Sequence, residues 1–381
     1  MRERTGIDGS DHSSGEESET TSRVSRRSVL TSVTALGAVT LAGCTGDDDG
    51  GDDGGGDDGG DDGDLSVAII SSNAGFGDRA FNDLALEGLE NAQDEQDFEL
   101  NQIEETDIAA FGDAQAEAAE GNDLVVLVGF QHTADLEDNA PEFPDTYWMV
   151  INDYVDEDNV AGYVWANHEM SYLAGVQAGT ITNFDLEHDG SSNNPDESHI
   201  GFVGGEEVPL IEAFERAYVA GAERVNPDVE VSIGYAGSFE DPSAGEEVAQ
   251  SQYEDGADLI YHASAGTGPG IFDAAQAADR FAIGVDADQS RTLPEYSDVI
   301  IGSAVKYINE GTYDCATAVA TDDWDSVAGS NVLGLEEEAV DLVVGQEFED
   351  LMPDELDGNI EDARQAIIDG DIDVPCDHDG C

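Results

Sequence analysis

The stretch His199–Gly205 reads HIGFVGG, an apolar run that ends in two glycines. A similar run, LSVAIIS, opens the folded part of the chain at Leu65–Ser71. Short, continuously apolar runs bounded by turn residues are typical of strands that are buried on both faces. Because such a run occurs at two distant places, each followed by further strands and helices, the sequence predicts two similar halves.

Buried strands alternate with amphipathic segments in both halves. Residues that are apolar at helical spacing predict helices, and strands that alternate with helices form parallel sheets with right-handed crossovers. The predicted strands are 65–71, 124–129, 147–151, 199–203, 229–235, 259–262 and 281–285, and the predicted helices are 81–93, 173–181, 211–225, 243–255 and 271–278.

This pattern predicts an α/β fold of two lobes, each a mostly parallel sheet flanked by helices, which is the type I periplasmic-binding-protein architecture. Ligands of open parallel sheets bind beyond the carboxyl ends of the strands, so we expect a cleft between the lobes. The expected lobe 1 is 65–165 with a return segment at about 290–325, and lobe 2 is 166–289 with a return segment at about 326–365. Crossings between the lobes are expected near 162–165, 288–290 and 326–332.

Acidic residues dominate the composition of the 381-residue chain. Asp and Glu number 88 against 12 Lys and Arg, which gives a formal net charge of −76. A fold with this charge repels itself in dilute buffer, whereas molar salt shortens the Debye length to about 3 Å. The charge therefore indicates adaptation to high salt. It argues against nucleic-acid binding, which needs basic patches.

Three signals follow one another before residue 65. The segment 25–30 reads SRRSVL, typical of a twin-arginine export signal, and the apolar stretch 29–42 is shorter than the about 20 residues that span a bilayer. It ends in Leu-Ala-Gly-Cys44, which resembles a lipobox with a lipidated cysteine; the alternative is a short anchoring helix with an incidental Cys44. We thus expect residues 1–44 to be a disordered start plus signal.

Residues 45–64 are almost wholly Gly and Asp and predict a flexible tether. A lipidated Cys44 and this tether would hold the protein at the extracellular face of the cell membrane. At the other end, 366–381 is a tail in which Cys376 and Cys381 either form a small disulfide loop or remain free thiols. The sequence has no cysteine and histidine spacing typical of zinc, so no metal site is predicted.

Candidate binding residues stand where predicted strands end. Phe81 and Asn82 follow the loop after the first strand, and they either face the cleft or serve as a core anchor and a helix cap. Asp153 follows the third strand, where its carboxylate either accepts hydrogen bonds from a ligand or is simply solvated. Phe214 lies in the first turns of a helix, where an aromatic ring can cover a flat ligand.

Two charged residues come late in the series. Asp286 follows a buried strand, a position from which a carboxylate can accept hydrogen bonds from two sugar hydroxyls. Lys306 is the only lysine after the signal region, which favours a specific role over a solvated one. The glycine-rich segment 261–270, YHASAGTGPG, lacks the patterns of nucleotide-phosphate loops, so we interpret it as a close backbone approach to a ligand. His262 is interpreted as a packing residue rather than a catalytic one.

Several of these stretches together resemble the basic membrane protein (BMP) family of ABC-transporter substrate-binding lipoproteins, the purine-nucleoside-receptor group. The resemblance runs from about Leu65 to Tyr313. The stretches that carry it are DRAFNDLALEG (78–88), PDTYWMVIND (144–153), NVAGYVWANHEMSYLAG (159–175), IGFVGGEEVP…FERAYVAGAERVNPD (200–228), GSFEDP (237–242), ADLIYHASAGTG (257–268) and AIGVDADQ (282–289).

The resemblance implies that a nucleoside binds between the lobes. Its base would stack on Phe81 and Phe214, and its edge would hydrogen-bond to Asn82 and Asp153. The chain departs from the family in the glycine turn, where Ser264-Ala265-Gly266 replaces the Ala-Gly-Gly of many relatives, and in an insertion near 185–198. These departures concern the identity of the ligand more than the fold.

The resemblance also implies a sugar site. Asp286 would accept hydrogen bonds from the ribose hydroxyls, with Lys306 and the turn around Gly268 close to the sugar. Phe130 and Trp165 are weaker candidates for the cavity wall.

The function implied is that of a monomeric solute-binding lipoprotein that delivers a nucleoside to ABC permease and ATPase subunits, without a cofactor. One alternative is a surface sensory receptor of the same fold that is not coupled to transport, and another is a binder of a different small polar solute. A nucleoside hydrolase would need a nucleophile–base set, and the sequence offers none.

Overall fold

The computed structural model describes residues 65–376, so the predicted signal, the tether, Cys44 and Cys381 lie outside the described residues. The strands are β1 (Leu65–Ile70), β2 (Phe98–Ile103), β3 (Leu124–Leu127), β4 (Tyr147–Ile151), β5 (Val160–Trp165), β6 (Glu187–His188), β7 (Ser191–Ser192), β8 (His199–Gly204), β9 (Glu230–Tyr235), β10 (Leu259–Ala263), β11 (Phe281–Asp286), β12 (Ile300–Lys306), β13 (Gly329–Leu333) and β14 (Val340–Val344). The α-helices are α1 (Phe81–Glu95), α2 (Phe111–Ala119), α3 (Thr133–Glu142), α4 (Asn167–Ile181), α5 (Pro209–Val225), α6 (Pro242–Glu254), α7 (Gly268–Ala277), α8 (Gln289–Thr292), α9 (Ile308–Ala320) and α10 (Asp354–Ile368).

The first sheet has the strand order β13-β5-β4-β3-β1-β2, and all its neighbouring strands are parallel. Val67 and Ile69 pack into one apolar core, whereas Ala68 and Ile70 pack into another. This alternation reflects a strand whose two faces are both covered, which is why its sequence is continuously apolar. Strand β2 was not predicted because it lies at the sheet edge and reads FELNQI, with half-exposed polar residues.

The second sheet has the order β14-β12-β11-β10-β8-β9, and only the pair β12–β14 is antiparallel. The predicted α/β fold with two mostly parallel sheets is therefore confirmed. The insertion near 185–198 contains the antiparallel pair β6–β7. Helix α4 begins six residues before the predicted start, because its first turn is polar and only the turns after it are apolar.

The chain passes from one sheet to the other at three places: between β5 and α4, between β12 and α9, and between β13 and β14. The third place lies after β13, which still pairs with β5, and thus beyond the expected 326–332. The second place differs from the expected crossing at 288–290. There, Gln289–Thr292 forms α8, and the next strand, β12, still pairs with β11 in the second sheet. The apolar run IIGSAVK indicates a buried strand but carries no information about which of two similar sheets it joins.

Two further findings concern the tail and the helices. Cys376 is disulfide-bonded, and Cys381, its predicted partner, lies outside the described residues. Within residues 65–376, no helix is both long and apolar enough to cross a membrane.

Candidate functional site

A cavity lies where the carboxyl ends of strands from both sheets meet. It holds about 500 Å³ of empty space, including the part open to solvent. Its walls are formed by Ser72, Asn73, Phe81, Phe130, Gln131, Asn152, Leu210, Ile211, Phe214, Phe239, Ala263, Ser264, Ala265, Val285, Asp286 and Lys306. The position agrees with the rule that open parallel sheets bind ligands beyond their strand ends.

Aromatic rings from both lobes line the cavity. Phe81 is the first residue of α1 in the first lobe, and Phe214 lies in the second turn of α5 in the second lobe. Phe81 is 8% exposed and Phe214 is 3% exposed, so the cleft is closed over both rings. Phe130, predicted as a weaker candidate, follows Gly129, whose φ of +109° turns the chain after β3. The rings of Phe81 and Phe214 can cover a flat ligand from the two lobes.

Asp286 and Lys306 form a buried ion pair at the ends of the adjacent strands β11 and β12. Lys306 Nζ lies 3.0 Å from Asp286 Oδ1, and the two side chains are 3% and 8% exposed. The contact is an ion pair whose angles fall outside those of a hydrogen bond. A buried charge is tolerated only when it is paired, so removing either partner would leave the other as an unpaired buried charge.

Lys306 also connects the two lobes and the two rings. Its Nζ donates a hydrogen bond to Asn167 Oδ1 at 3.0 Å, and Asn167 opens α4 directly after the first crossing. The same ammonium lies 4.8 Å from the ring centroid of Phe81 and 5.7 Å from that of Phe214. The two rings thus border the same small space, and the one lysine of the sequence stands at its edge.

Asn82 does not line the cavity. Its Oδ1 accepts a hydrogen bond from the Ser72 backbone N–H at 2.8 Å, and its Nδ2 donates to Ser72 Oγ and Asp78 Oδ2, each at 2.9 Å. The side chain is fully buried. Its amide is committed to holding Ser72, which lines the cavity, against the start of α1.

Asp153 also lies away from the cavity, and the preceding residue lines the wall instead. Asp153 Oδ1 accepts a hydrogen bond from the Tyr154 backbone N–H at 2.8 Å. Asn152 adopts a φ of +67°, and its Oδ1 is buried without a hydrogen-bond partner among the described residues. An acceptor left in this state favours a ligand that donates a hydrogen bond.

Gly268, predicted to approach the sugar, instead packs beneath the cavity wall. A Cβ at this position would stand 2.4 Å from Cε1 of His262, so the glycine leaves room for the buried imidazole. The residues of the turn that do reach the cavity are Ser264 and Ala265. His262 is fully buried, and burial lowers its pKa to about 4.

Trp165 is fully buried and does not border the cavity. Its ring lies 6.0 Å from that of Tyr163 and packs close to Gly311 of α9. It therefore stabilises the first lobe beside the crossing segments.

The structure adds wall residues that the sequence did not single out. Leu210, Ile211 and Phe239 supply apolar area, and their sequence pattern is the same as that of core residues. Gln131 donates a hydrogen bond to Asn73 Oδ1 at 3.0 Å, joining two loops of the first lobe. The signal for these polar residues was available, since each follows the end of a buried strand.

Among residues 65–376, no group of three or more His, Cys, Asp or Glu side chains is placed to hold a metal ion.

Two facing lobes, three crossings and a closed cleft at the strand ends define a two-lobed solute-binding protein. A family model described as ABC transporter substrate-binding protein PnrA-like matches residues 65–378, and the chain belongs to this family.

Individual relatives agree with this assignment. The chain is 31% identical over 373 residues to the ABC transporter nucleoside-binding protein BmpA of Lactococcus lactis subsp. cremoris, an alignment that covers 92% of this chain and 99% of the relative. It is 29% identical to the CD4+ T-cell-stimulating antigen of Listeria monocytogenes, covering 82% of this chain and 88% of that one.

A solved structure gives the same result. The solute-binding protein of an ABC transporter system from Aeropyrum pernix K1 superposes with a TM-score of 0.73 at 26% identity, covering 83% of this chain and 95% of that chain. Family and fold are those of ABC-transporter substrate-binding proteins, which bind a small molecule, interact with permease subunits and are not enzymes. The predicted family and the absence of enzymatic function are confirmed.

Proposed function

We propose that this chain captures a nucleoside with a purine base outside the cell and presents it, as a monomer, to the permease of an ABC importer. The observation that carries the proposal is the cavity in which Phe81 and Phe214 stand beside the buried Asp286–Lys306 pair. Two phenyl rings suit a flat base, and a carboxylate within reach of them suits a sugar with neighbouring hydroxyls. The name of the lactococcal relative, a nucleoside-binding protein, supports the same ligand class.

Capture requires the lobes to part and close. The rings and the ion pair are all at most 8% exposed, so a ligand reaches them only when the cleft opens. Closure then buries the base between residues of both lobes, and the closed shape is the state that a permease recognises.

Calorimetric titration of purified protein with a nucleoside panel in molar KCl tests the proposal. Phe81→Ala and Phe214→Ala should each weaken binding of the preferred purine nucleoside about 5- to 150-fold, because stacking on an aromatic ring is worth about 1–3 kcal/mol per base. Pyrimidine nucleosides should bind more weakly, since their rings offer less area to cover.

The matched control is Phe143→Ala, which truncates a partly buried phenylalanine that packs on a core outside the cavity. It should leave the affinity unchanged. Failure of the unaltered protein to bind any nucleoside, or an equal loss from the Phe143 variant, would contradict the proposal.

We further propose that the protein lies on the outer face of the membrane, anchored by a lipid on Cys44 after export through the twin-arginine route. Cys44→Ser should release the protein from the membrane fraction into the medium, because the lipid is the proposed attachment and no helix within residues 65–376 is long and apolar enough to cross a membrane. Cys376→Ser serves as the control and should stay in the membrane fraction. Fractionation of cells followed by immunoblotting gives the readout, and retention of the Cys44 variant on membranes would rule out the lipid anchor.

A further inference from the structure

A chain of hydrogen bonds runs from the cavity wall into the second lobe. Ser264, which lines the cavity, has its Oγ 3.0 Å from His262 Nδ1. On the other side of the ring, His262 Nε2 lies 2.9 Å from Gln289 Oε1. The same Gln289 oxygen accepts a hydrogen bond from the Val285 backbone N–H at 2.8 Å. All three side chains are at most 1% exposed, so water does not compete for these bonds.

The backbone N–H of Val285 fixes the direction of every proton in this chain. A backbone N–H only donates, so the Gln289 atom that faces it is the carbonyl oxygen and not the amide nitrogen. An oxygen of this kind cannot donate, and His262 Nε2 must therefore carry the hydrogen of the bond to Gln289. Burial holds the imidazole neutral at pH 7, since its pKa falls to about 4. Its Nδ1 is then a pure acceptor.

The Ser264 hydroxyl consequently donates its only hydrogen to the bond with His262 Nδ1. What remains on Ser264 Oγ is lone-pair capacity, so the hydroxyl is an acceptor and not a donor. The imidazole cannot rotate to change this arrangement. Gly268 leaves just enough room for it, and the Phe272 ring packs edge-on at 5.1 Å between centroids.

We propose that Ser264 is a specificity-determining residue, and that its hydroxyl, held as a fixed hydrogen-bond acceptor by His262 and Gln289, selects a ligand with an N–H or O–H group at that point. The inference rests on the proposed function, because it concerns the same cavity. It agrees with another acceptor of the wall, Asn152 Oδ1, which has no hydrogen-bond partner among the described residues. The cavity thus favours nucleosides rich in donors, and His262 and Gln289 act as positioning residues.

The test crosses protein variants with ligand variants. Calorimetry in molar KCl compares the preferred nucleoside with analogues that each lack one N–H or O–H group. For the unaltered protein, one deletion that meets Ser264 should cost about tenfold in affinity, the size of a single hydrogen bond. In Ser264→Ala the intact nucleoside should lose about tenfold, and the same deletion should then cost nothing further. Ser191→Ala, a change at a buried serine of β7 outside the cavity wall, should leave the whole ligand series unchanged.

His262→Leu separates positioning from mere packing. The leucine side chain is close to the imidazole in volume but accepts no hydrogen bond, so the Ser264 hydroxyl becomes free to turn. We expect binding to persist while the discrimination against the donor-deleted analogue shrinks. Nitrogen–proton correlation spectra of the unaltered protein at pH 7 should show the His262 proton on Nε2 both without and with ligand.

A proton on Nδ1, or analogues that respond equally in the unaltered and the Ser264 proteins, overturns the inference while nucleoside binding stands. If no nucleoside binds the unaltered protein, the proposed function fails and the inference fails with it.

Discussion

Asp286→Asn should weaken nucleoside binding by about 100-fold. The carboxylate is proposed to accept hydrogen bonds from two ribose hydroxyls, and hydrogen bonds to a charged group contribute about 1.5–3 kcal/mol each. Loss of about 3 kcal/mol corresponds to about two powers of ten in the dissociation constant. Asparagine is the appropriate replacement because the residue has a φ of +66°, a conformation that asparagine adopts readily. The measurement is calorimetric titration in molar KCl.

The ligand supplies the first control for this prediction. A 2′,3′-dideoxynucleoside of the same base lacks the hydroxyls that the carboxylate would hold. The unaltered protein and the Asp286→Asn variant should therefore bind it with equal, weak affinity. If the variant loses as much affinity for the dideoxynucleoside as for the nucleoside, Asp286 acts through the fold and not through the sugar.

A second control separates the ligand effect from the ion pair. Removing Asp286 leaves the buried Lys306 beside uncharged groups, the Asn167 amide and two phenyl rings, and breaking one side of a buried pair costs about 3–5 kcal/mol. The double variant Asp286→Asn/Lys306→Met removes both charges and should recover most of the stability lost by the single variants. It should not recover binding. Urea unfolding beside calorimetry gives both quantities on the same samples.

Four wall residues of the cavity were predicted, three from their place at the start of a helix or the end of a strand and Lys306 as the only lysine after the signal region. The sequence did not show which of two neighbouring residues after a strand faces the cavity. Phe81 and Phe214 border the cavity from the first two turns of α1 and α5. Asp286 and Lys306 border it from the last residues of β11 and β12. Asp153 was predicted where Asn152 faces the cavity, since a turn with positive φ decides which of two neighbours faces inward.

The fold was predicted from continuous apolar runs, and some elements that lack such a run were missed. Continuous apolar runs identify strands covered on both faces, and six central strands were found in this way, whereas the equally buried β5 and β12 were not among the predicted strands. The edge strand β2 and the polar first turn of α4 carry no such signal. Nor does an apolar strand specify its sheet, and β12 was therefore placed in the wrong lobe.

Gly175→Ala should destabilise the protein by about 3 kcal/mol or more. A Cβ on Gly175 of α4 would stand 2.0 Å from the Tyr218 carbonyl oxygen of α5, and a Cβ on Gly221 of α5 would stand equally close to that of Tyr172. Backbone carbonyls cannot swing aside as a side chain can, so the two helices must separate along the whole contact. Overpacking of a tight interface typically costs 1–3 kcal/mol, and occasionally more. This contact is tighter than most because backbone meets backbone on both helices.

Gly358→Ala makes the matched control, because it is the same chemical change in an exposed turn of α10 where an added Cβ meets nothing within 4 Å. Alanine is favoured over glycine in a helix by about 1 kcal/mol, so this variant should be slightly more stable than the unaltered protein. Urea unfolding in molar KCl should thus move the two midpoints in opposite directions. A Gly175→Ala variant that is stabilised like Gly358→Ala would show that helix propensity, and not the close approach of α4 to α5, governs Gly175. Because α4 also carries the Asn167 that holds Lys306, we expect Gly175→Ala to weaken nucleoside binding as well, whereas Gly358→Ala should not.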